Sequence, residues 1–246
     1  MWNWFRLLRS VRRFARLPAD RQVRVLFLDG HVETQLVEEY LRYVVPSEVY
    51  ASWPKVVLKA FTLMARSYTY YAILHPRHKG ADVCTSTHCQ VYGSSTNPQT
   101  DQAIKETEGE YIAYIPSGDL PIEAVYSAAC GGHTENNEDV WPGEPRGYLR
   151  RVNGCPCGRP RNGHGVGGCQ WGLFEQNKRE PTKCYCDLAL FYYTDCVVVR
   201  PVEPPPEPPP TPSWCKMLEA AVQLVREINL WLRAMYEEYC SVCHTR

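Results

Sequence analysis

The chain has 246 residues, 44% of them hydrophobic and 22% charged, enough for one good-sized core with appendages. Lys plus Arg and Asp plus Glu each number 27, so there is no global field to draw in nucleic acid, and no nucleic-acid partner is expected. No run of about 18 consecutive apolar residues occurs, so no membrane-spanning helix is expected.

Residues 1–20 form a basic segment. On a helix, Trp4, Leu7, Leu8, Val11 and Phe14 share one side, with Arg6, Arg9, Arg13 and Arg16 around them. That pattern over residues 4–17 suits either peripheral contact with anionic lipid or packing on the chain's own domain. It contains no uninterrupted apolar stretch of the kind a secretory signal needs, and localisation stays open.

Residues 22–198 read as the main domain. Gln22 to Asp29 with Gly30 predicts a strand and turn, and His31 to Leu36 predicts the returning strand. Val37 to Val45 has helical spacing, which Pro46 is expected to end. Pro54 sits at a first-turn position for a second helix that keeps a broad apolar side through Leu74. Strands are predicted at Tyr111 to Ile115 and Ile122 to Ala128, with a turn at Ser117 to Asp119, and a short helix at Leu188 to Tyr193. The fold class is therefore mixed α/β (α+β): a helical segment against a strand-rich body.

Residues 200–212 are a proline-rich linker of stiff, extended backbone. In the last segment, 213–246, Ser213 is placed to cap a helix running to about Cys240. Leu218, Val222, Val225, Ile228, Leu232, Met235 and Tyr239 recur along it at three- and four-residue steps. Such an amphipathic helix over residues 214–240 suits docking on its own domain, self-association or a partner.

Chemistry-bearing residues gather in four places. Gly163 to Gly172 holds five glycines together with His164, Cys169, Gln170 and Trp171. Glycine at that density has no packing value, so the backbone there is expected to pass close to something. Glu48 is flanked by Val45, Val49, Tyr50 and Trp53, apolar company that favours a neutral carboxyl able to donate a proton, while a solvated glutamate at a helix end is the competing reading. His78, Cys84, His88 and Cys89 match the sulfur and nitrogen preference of zinc, while a Cys84–Cys89 disulfide is the competing reading. Tyr126 to Thr134 contains Ser127 and Cys130-Gly131-Gly132-His133, but nothing local supplies the geometry of a nucleophile–histidine pair. The close pairs Cys155/Cys157, Cys184/Cys186 and Cys240/Cys243 suit metal ligation or short-loop disulfides.

Several of these runs, taken in order, resemble the stage II sporulation protein D (SpoIID) family, which includes amidase enhancers of cell-wall turnover. The resemblance rests on Glu39 to Glu48, Ala51 to Pro54, Leu58 to Ala60, Ala65 to Tyr68, Cys84 to Tyr92, Cys130 to Thr134, Tyr148 to Arg150 and Gly163 to Gly172. It implies a lytic transglycosylase that cleaves stem-peptide-free peptidoglycan glycan strands to 1,6-anhydro-muramyl ends. Glu48 would be the catalytic general acid and base. His78, Cys84 and Cys89 would hold zinc, as in some members. Arg66, Tyr68, His88, Gln90, Ser127, Gly131, Gly132, His164, Gly165 and Gln170 would line or support the glycan site. An extracytoplasmic location in the cell envelope also follows from the resemblance.

The chain departs from the family pattern at Val49-Tyr50, where Met-Pro is common, at Phe61, where Gln is common, and at Gly168-Cys169, where Met-Ser is common. Two other functions fit the same residues: a non-catalytic glycan-binding module that stimulates a cell-wall amidase, and a zinc- or disulfide-stapled structural protein.

Overall fold

The computed structural model describes residues 21–201 and the helix Trp214–Cys243, with the side chains of that helix described at 214 and 217–236. The lipid-contact segment 4–17 and most of the proline-rich linker lie outside the described residues. The chain divides at Pro201/Val202 into two units.

The first unit is built around a hairpin and two helices. Strand β1 (Gln22–Leu26) pairs antiparallel with β2 (Val32–Leu36), as the alternation predicts. Val23 and Val25 point into the core, while the residues between them face out. Helix α1 (Val37–Glu48) follows directly and buries Val37, Tyr40, Leu41, Val44 and Val45, the i, i+3, i+4, i+7, i+8 stripe of a packed helix. Pro46 does not end it: the proline gives up only its own N–H bond, and the Val49 N–H still reaches Val45 O at 3.1 Å. The extra turn makes Glu48 the last residue of α1.

Helix α2 (Lys55–Leu74) opens after Pro54 and is buried nearly all round, with 14 of its 20 residues inaccessible. Elements pack on every side of it, so the broad apolar side read from sequence belongs to a central helix. Short strand β3 (Val83–Cys84) adds parallel to β1 and gives the sheet order β2-β1-β3.

Helix α3 (Pro98–Glu106) is capped by Asn97, whose side chain accepts from the Gln99 N–H at 2.9 Å, with proline at the first position. Strand β4 (Tyr111–Tyr114) pairs antiparallel with β7 (Cys196–Val199). The strand expected over Ile122 to Ala128 shrinks to β5 (Tyr126–Ser127), which pairs in parallel with β6 (Gly168–Cys169). Three short helices complete the unit: α4 (Asn137–Val140), α5 (Gln170–Arg179) and α6 (Tyr185–Leu190). The last begins three residues before the helix read from sequence, with Cys184 at its cap. Helices and several small sheets together give the α+β class expected.

The second unit's described part is α7 (Trp214–Cys243), a single 30-residue helix. Its Leu218, Val222, Val225, Ile228, Leu232 and Met235 are exposed. Among the described residues no helix is long and apolar enough to cross a membrane.

Candidate functional site

The β5–β6 ladder is what assembles the site. Pairing Tyr126 with Gly168 and Ser127 with Cys169 delivers the next residue, Gln170, to the start of α5. A side chain at Gly168 would lie 2.7 Å from Met64 Sδ on α2, and one at Gly163 would lie 2.7 Å from Ser127 Cβ. Close approach thus requires glycine at both positions, and at Gly163 the φ of +97° requires it as well.

This loop meets the end of α1. Gln170 Nε2 donates to Glu48 Oε2 at 2.9 Å, and the Val91 N–H donates to Glu48 Oε1 at 2.7 Å. The Tyr126 hydroxyl is a third partner of the carboxyl. Burial pushes the Glu48 pKa above the ordinary carboxyl value, and these three donors pull against that rise without cancelling it. The residue itself is only half-buried, and its open side faces a cleft of about 710 Å³.

Around that cleft the structure gathers Tyr68, His88, Ser127, His164 and Gln170 from the residues singled out in sequence. His164 is held by backbone on both nitrogens: Nδ1 accepts from the Val166 N–H at 3.0 Å, and Nε2 is 2.8 Å from Tyr126 O. The first contact fixes the Nε2–H tautomer, and burial lowers the ring's pKa, so the imidazole is neutral. Neither nitrogen is free to take a proton from Ser127, whose Oγ is buried without a hydrogen-bond partner. A serine–histidine nucleophile pair is therefore not assembled here.

Gln90 stands one step behind the cleft. It is fully buried, donates to Tyr126 Oη at 3.0 Å and accepts from Thr69 Oγ1 at 2.9 Å, so it orients the tyrosine that reaches Glu48. Arg66 lies elsewhere. Its buried guanidinium pairs with Glu38 at 2.7 and 2.8 Å and donates to Thr107 Oγ1, Glu110 O and Ile104 O, tying α1 to α2 and the end of α3. Gly131, Gly132 and Gly165 also lie outside the cleft lining.

Sequence reasoning missed several wall residues. Trp141 leans on His164 with ring centres 4.8 Å apart and offers an aromatic face to the cleft. Arg77 and Arg146 flank the buried Glu123, each paired with it. Nothing local distinguishes an arginine whose partner lies 46 residues away, as Arg77 does from Glu123.

Beside the cleft, His78, Cys84, His88 and Cys89 bring one ligand atom each within 4.8 Å of the others. His78 Nε2 is 3.2 Å from Cys89 Sγ, and His88 Nδ1 is 3.5 Å from the same sulfur. Two imidazoles and two thiols at these separations fit a tetrahedral divalent ion. His88, read from sequence as a glycan contact, thus belongs to this set as well as to the cleft wall. The loop is anchored through buried Asp82, which accepts from the Arg24 N–H at 2.8 Å and Nη2 at 2.6 Å.

The cleft is thus walled by one desolvated carboxyl, an aromatic face and a glycine-rich turn, set in an α+β domain. Residues 30–114, which run from the hairpin through Glu48 and the histidine–cysteine loop to β4, match the family SpoIID, Stage II sporulation protein. The chain is 40% identical over 102 residues to a protein of Bacillus subtilis named amidase enhancer, covering 41% of this chain and 13% of that protein. It is 37% identical over 124 residues to an uncharacterized protein of Brachyspira hyodysenteriae, covering 49% of this chain and 33% of the other. The chain therefore spans a third or less of the length of these relatives.

Proposed function

We propose that the protein acts on the bacterial cell wall as a lytic transglycosylase, cleaving the bond from N-acetylmuramic acid to N-acetylglucosamine in stem-peptide-free glycan strands. The observation that carries this reading is the environment of Glu48: a carboxyl with a raised pKa, fixed by three donors and open on one side to a cleft. Each carboxyl oxygen has two lone pairs, so a proton can sit on either without breaking the bond from Val91 or Gln170. Protonated Glu48 would hand its proton to the glycosidic oxygen as the C1–O bond breaks. The muramyl C6 hydroxyl would then close on C1, returning its proton to the Glu48 carboxylate. One carboxyl serves both steps and no water is consumed, so the flanking second acid of glycoside hydrolases is not needed. The second carboxyl on the cleft wall, Glu123, is neutralised by Arg77 and Arg146, which suits it to structure and not to proton transfer.

Trp141 would stack on a sugar face. His78, Cys84, His88 and Cys89 would hold zinc, which when bound would pin the loop that runs into Val91, the residue whose N–H fixes Glu48.

A second reading rests on the Bacillus relative's name: a glycan-binding domain that stimulates a cell-wall amidase without cleaving glycan itself. Val49 and Tyr50, next to Glu48, depart from the family pattern and favour this reading. Incubating the protein with denuded glycan and determining the new chain ends by mass spectrometry separates the two. Anhydro-muramyl ends support the first reading. Glycan binding with unaltered chains, together with faster amidase action, selects the second.

A further inference from the structure

We propose that Cys130, Cys155, Cys157 and Cys169 bind one zinc ion in a four-thiolate structural site, distinct from the cleft and from the histidine–cysteine loop beside it. The four sulfurs lie within 4.8 Å of one another, and none of the four residues is more than 5% exposed. None lines the cleft. They converge from separate stretches of chain: the glycine-rich turn after β5, the Cys155-Pro156-Cys157 loop, and the end of β6.

The spacing favours a shared ion over covalent pairing. Cys130 Sγ and Cys157 Sγ are 3.8 Å apart. Zn–S bonds of about 2.3 Å in a tetrahedron place neighbouring sulfurs about 3.8 Å from each other. A disulfide needs about 2.05 Å, and closing one pair would leave the other two thiols facing it. All-thiolate tetrahedral coordination is the preference of zinc among divalent ions that take no part in redox chemistry.

Hydrogen-bond donors from neighbouring residues also reach the cluster. Cys157 Sγ lies 3.7 Å from Arg159 O, and the Cys155 N–H donates to Gly132 O at 3.0 Å, which fixes the loop against the turn after Cys130. The Gly172 N–H points at Cys169 Sγ at 3.3 Å. Tyr192 Oη lies 3.3 Å from Cys155 Sγ and accepts from Gln176 Nε2 at 2.8 Å, which leaves its own hydrogen for the sulfur. Donors aimed at Cys169 and Cys155 suit zinc-bound thiolates, whose charge such bonds offset. Gly172 completes the shell: a side chain there would lie 2.5 Å from Cys155 Sγ and would also strike Tyr192 Oη. Gly131 and Gly132, read from sequence as glycan contacts, instead follow Cys130 in the turn that carries it, at φ +79° and +99°.

The test uses the full chain, purified without chelator, alongside a Cys84→Ser/Cys89→Ser variant that removes two donors from the other cluster. Elemental analysis and native mass spectrometry of this variant are expected to find one zinc ion per chain. Replacing it with cobalt(II) should give the intense sulfur-to-cobalt charge-transfer and tetrahedral d–d bands of an all-thiolate site. Adding Cys130→Ser should remove that zinc. Should that variant not fold, a strong chelator added to the Cys84→Ser/Cys89→Ser protein should lower its melting temperature instead. A metal-free variant whose four cysteines are paired as disulfides, or freely alkylated in the folded state, overturns the proposal, as does iron in place of zinc.

Discussion

Gln170 Nε2 donates to Glu48 Oε2 at 2.9 Å across 122 residues of sequence. This bond joins the last residue of α1 to the first of α5, and so ties the histidine-bearing glycine loop to the carboxyl. It also sets the proton affinity of the acid, because a donor aimed at the carboxylate opposes the rise that burial causes.

Gln170→Ala is therefore expected to raise the Glu48 pKa further. Glycan cleavage needs the protonated acid first, so the fall in kcat at rising pH should move to higher pH. The rate at the optimum should drop by roughly tenfold, since a hydrogen bond to a charged group is worth about 1.5–3 kcal/mol. A pH–rate profile of the variant beside the wild type checks both shifts.

Stability should carry the same signature. A carboxyl whose folded pKa is raised contributes stability that is intact below its unfolded pKa of about 4.3 and is lost as pH climbs through the folded value. Glu48→Gln removes that loss, and Gln170 can turn its amide to accept from the new one. The melting temperature of Glu48→Gln relative to wild type should rise between about pH 4 and about pH 7. Parallel melting curves across that range would show that Glu48 does not titrate as described.

Arg66→Ala should damage the fold and not the cleft. It leaves Glu38 without its partner and strands Ile104 O and Glu110 O, so a loss of about 3 kcal/mol is expected in denaturant unfolding. At a temperature where the variant stays folded, KM for glycan should match wild type.

Trp141→Ala removes the exposed ring beside His164. With stacking worth about 0.5–1.5 kcal/mol, KM should rise roughly two- to tenfold while kcat changes little.

Local patterns in the sequence were legible where local physics decides. The β1–β2 hairpin and α2 follow from alternation, a turn glycine and a first-turn proline. The apolar neighbours of Glu48 and the density of glycine around His164 both pointed to the cleft. Where long-range packing decides, the reading failed. Pro46 did not stop α1, because a proline in a last turn forfeits a single bond and leaves the Val49–Val45 bond intact. Arg66 sits two residues from Tyr68 on α2, yet its side chain turns to Glu38 while Tyr68 reaches the cleft. Helix α3 was missed although Asn97-Pro98 is a cap signature. The convergence of four cysteines from separate stretches had no local sign beyond the close pair Cys155/Cys157.

Glycan ends are the most direct measure of whether Glu48 does chemistry. Wild type and Glu48→Gln, each verified as folded by circular dichroism, are incubated with stem-peptide-free glycan and followed over time by mass spectrometry. 1,6-Anhydro-muramyl ends should accumulate with wild type and not with the variant. Equal yields from both proteins, or reducing ends formed by water attack, would contradict it.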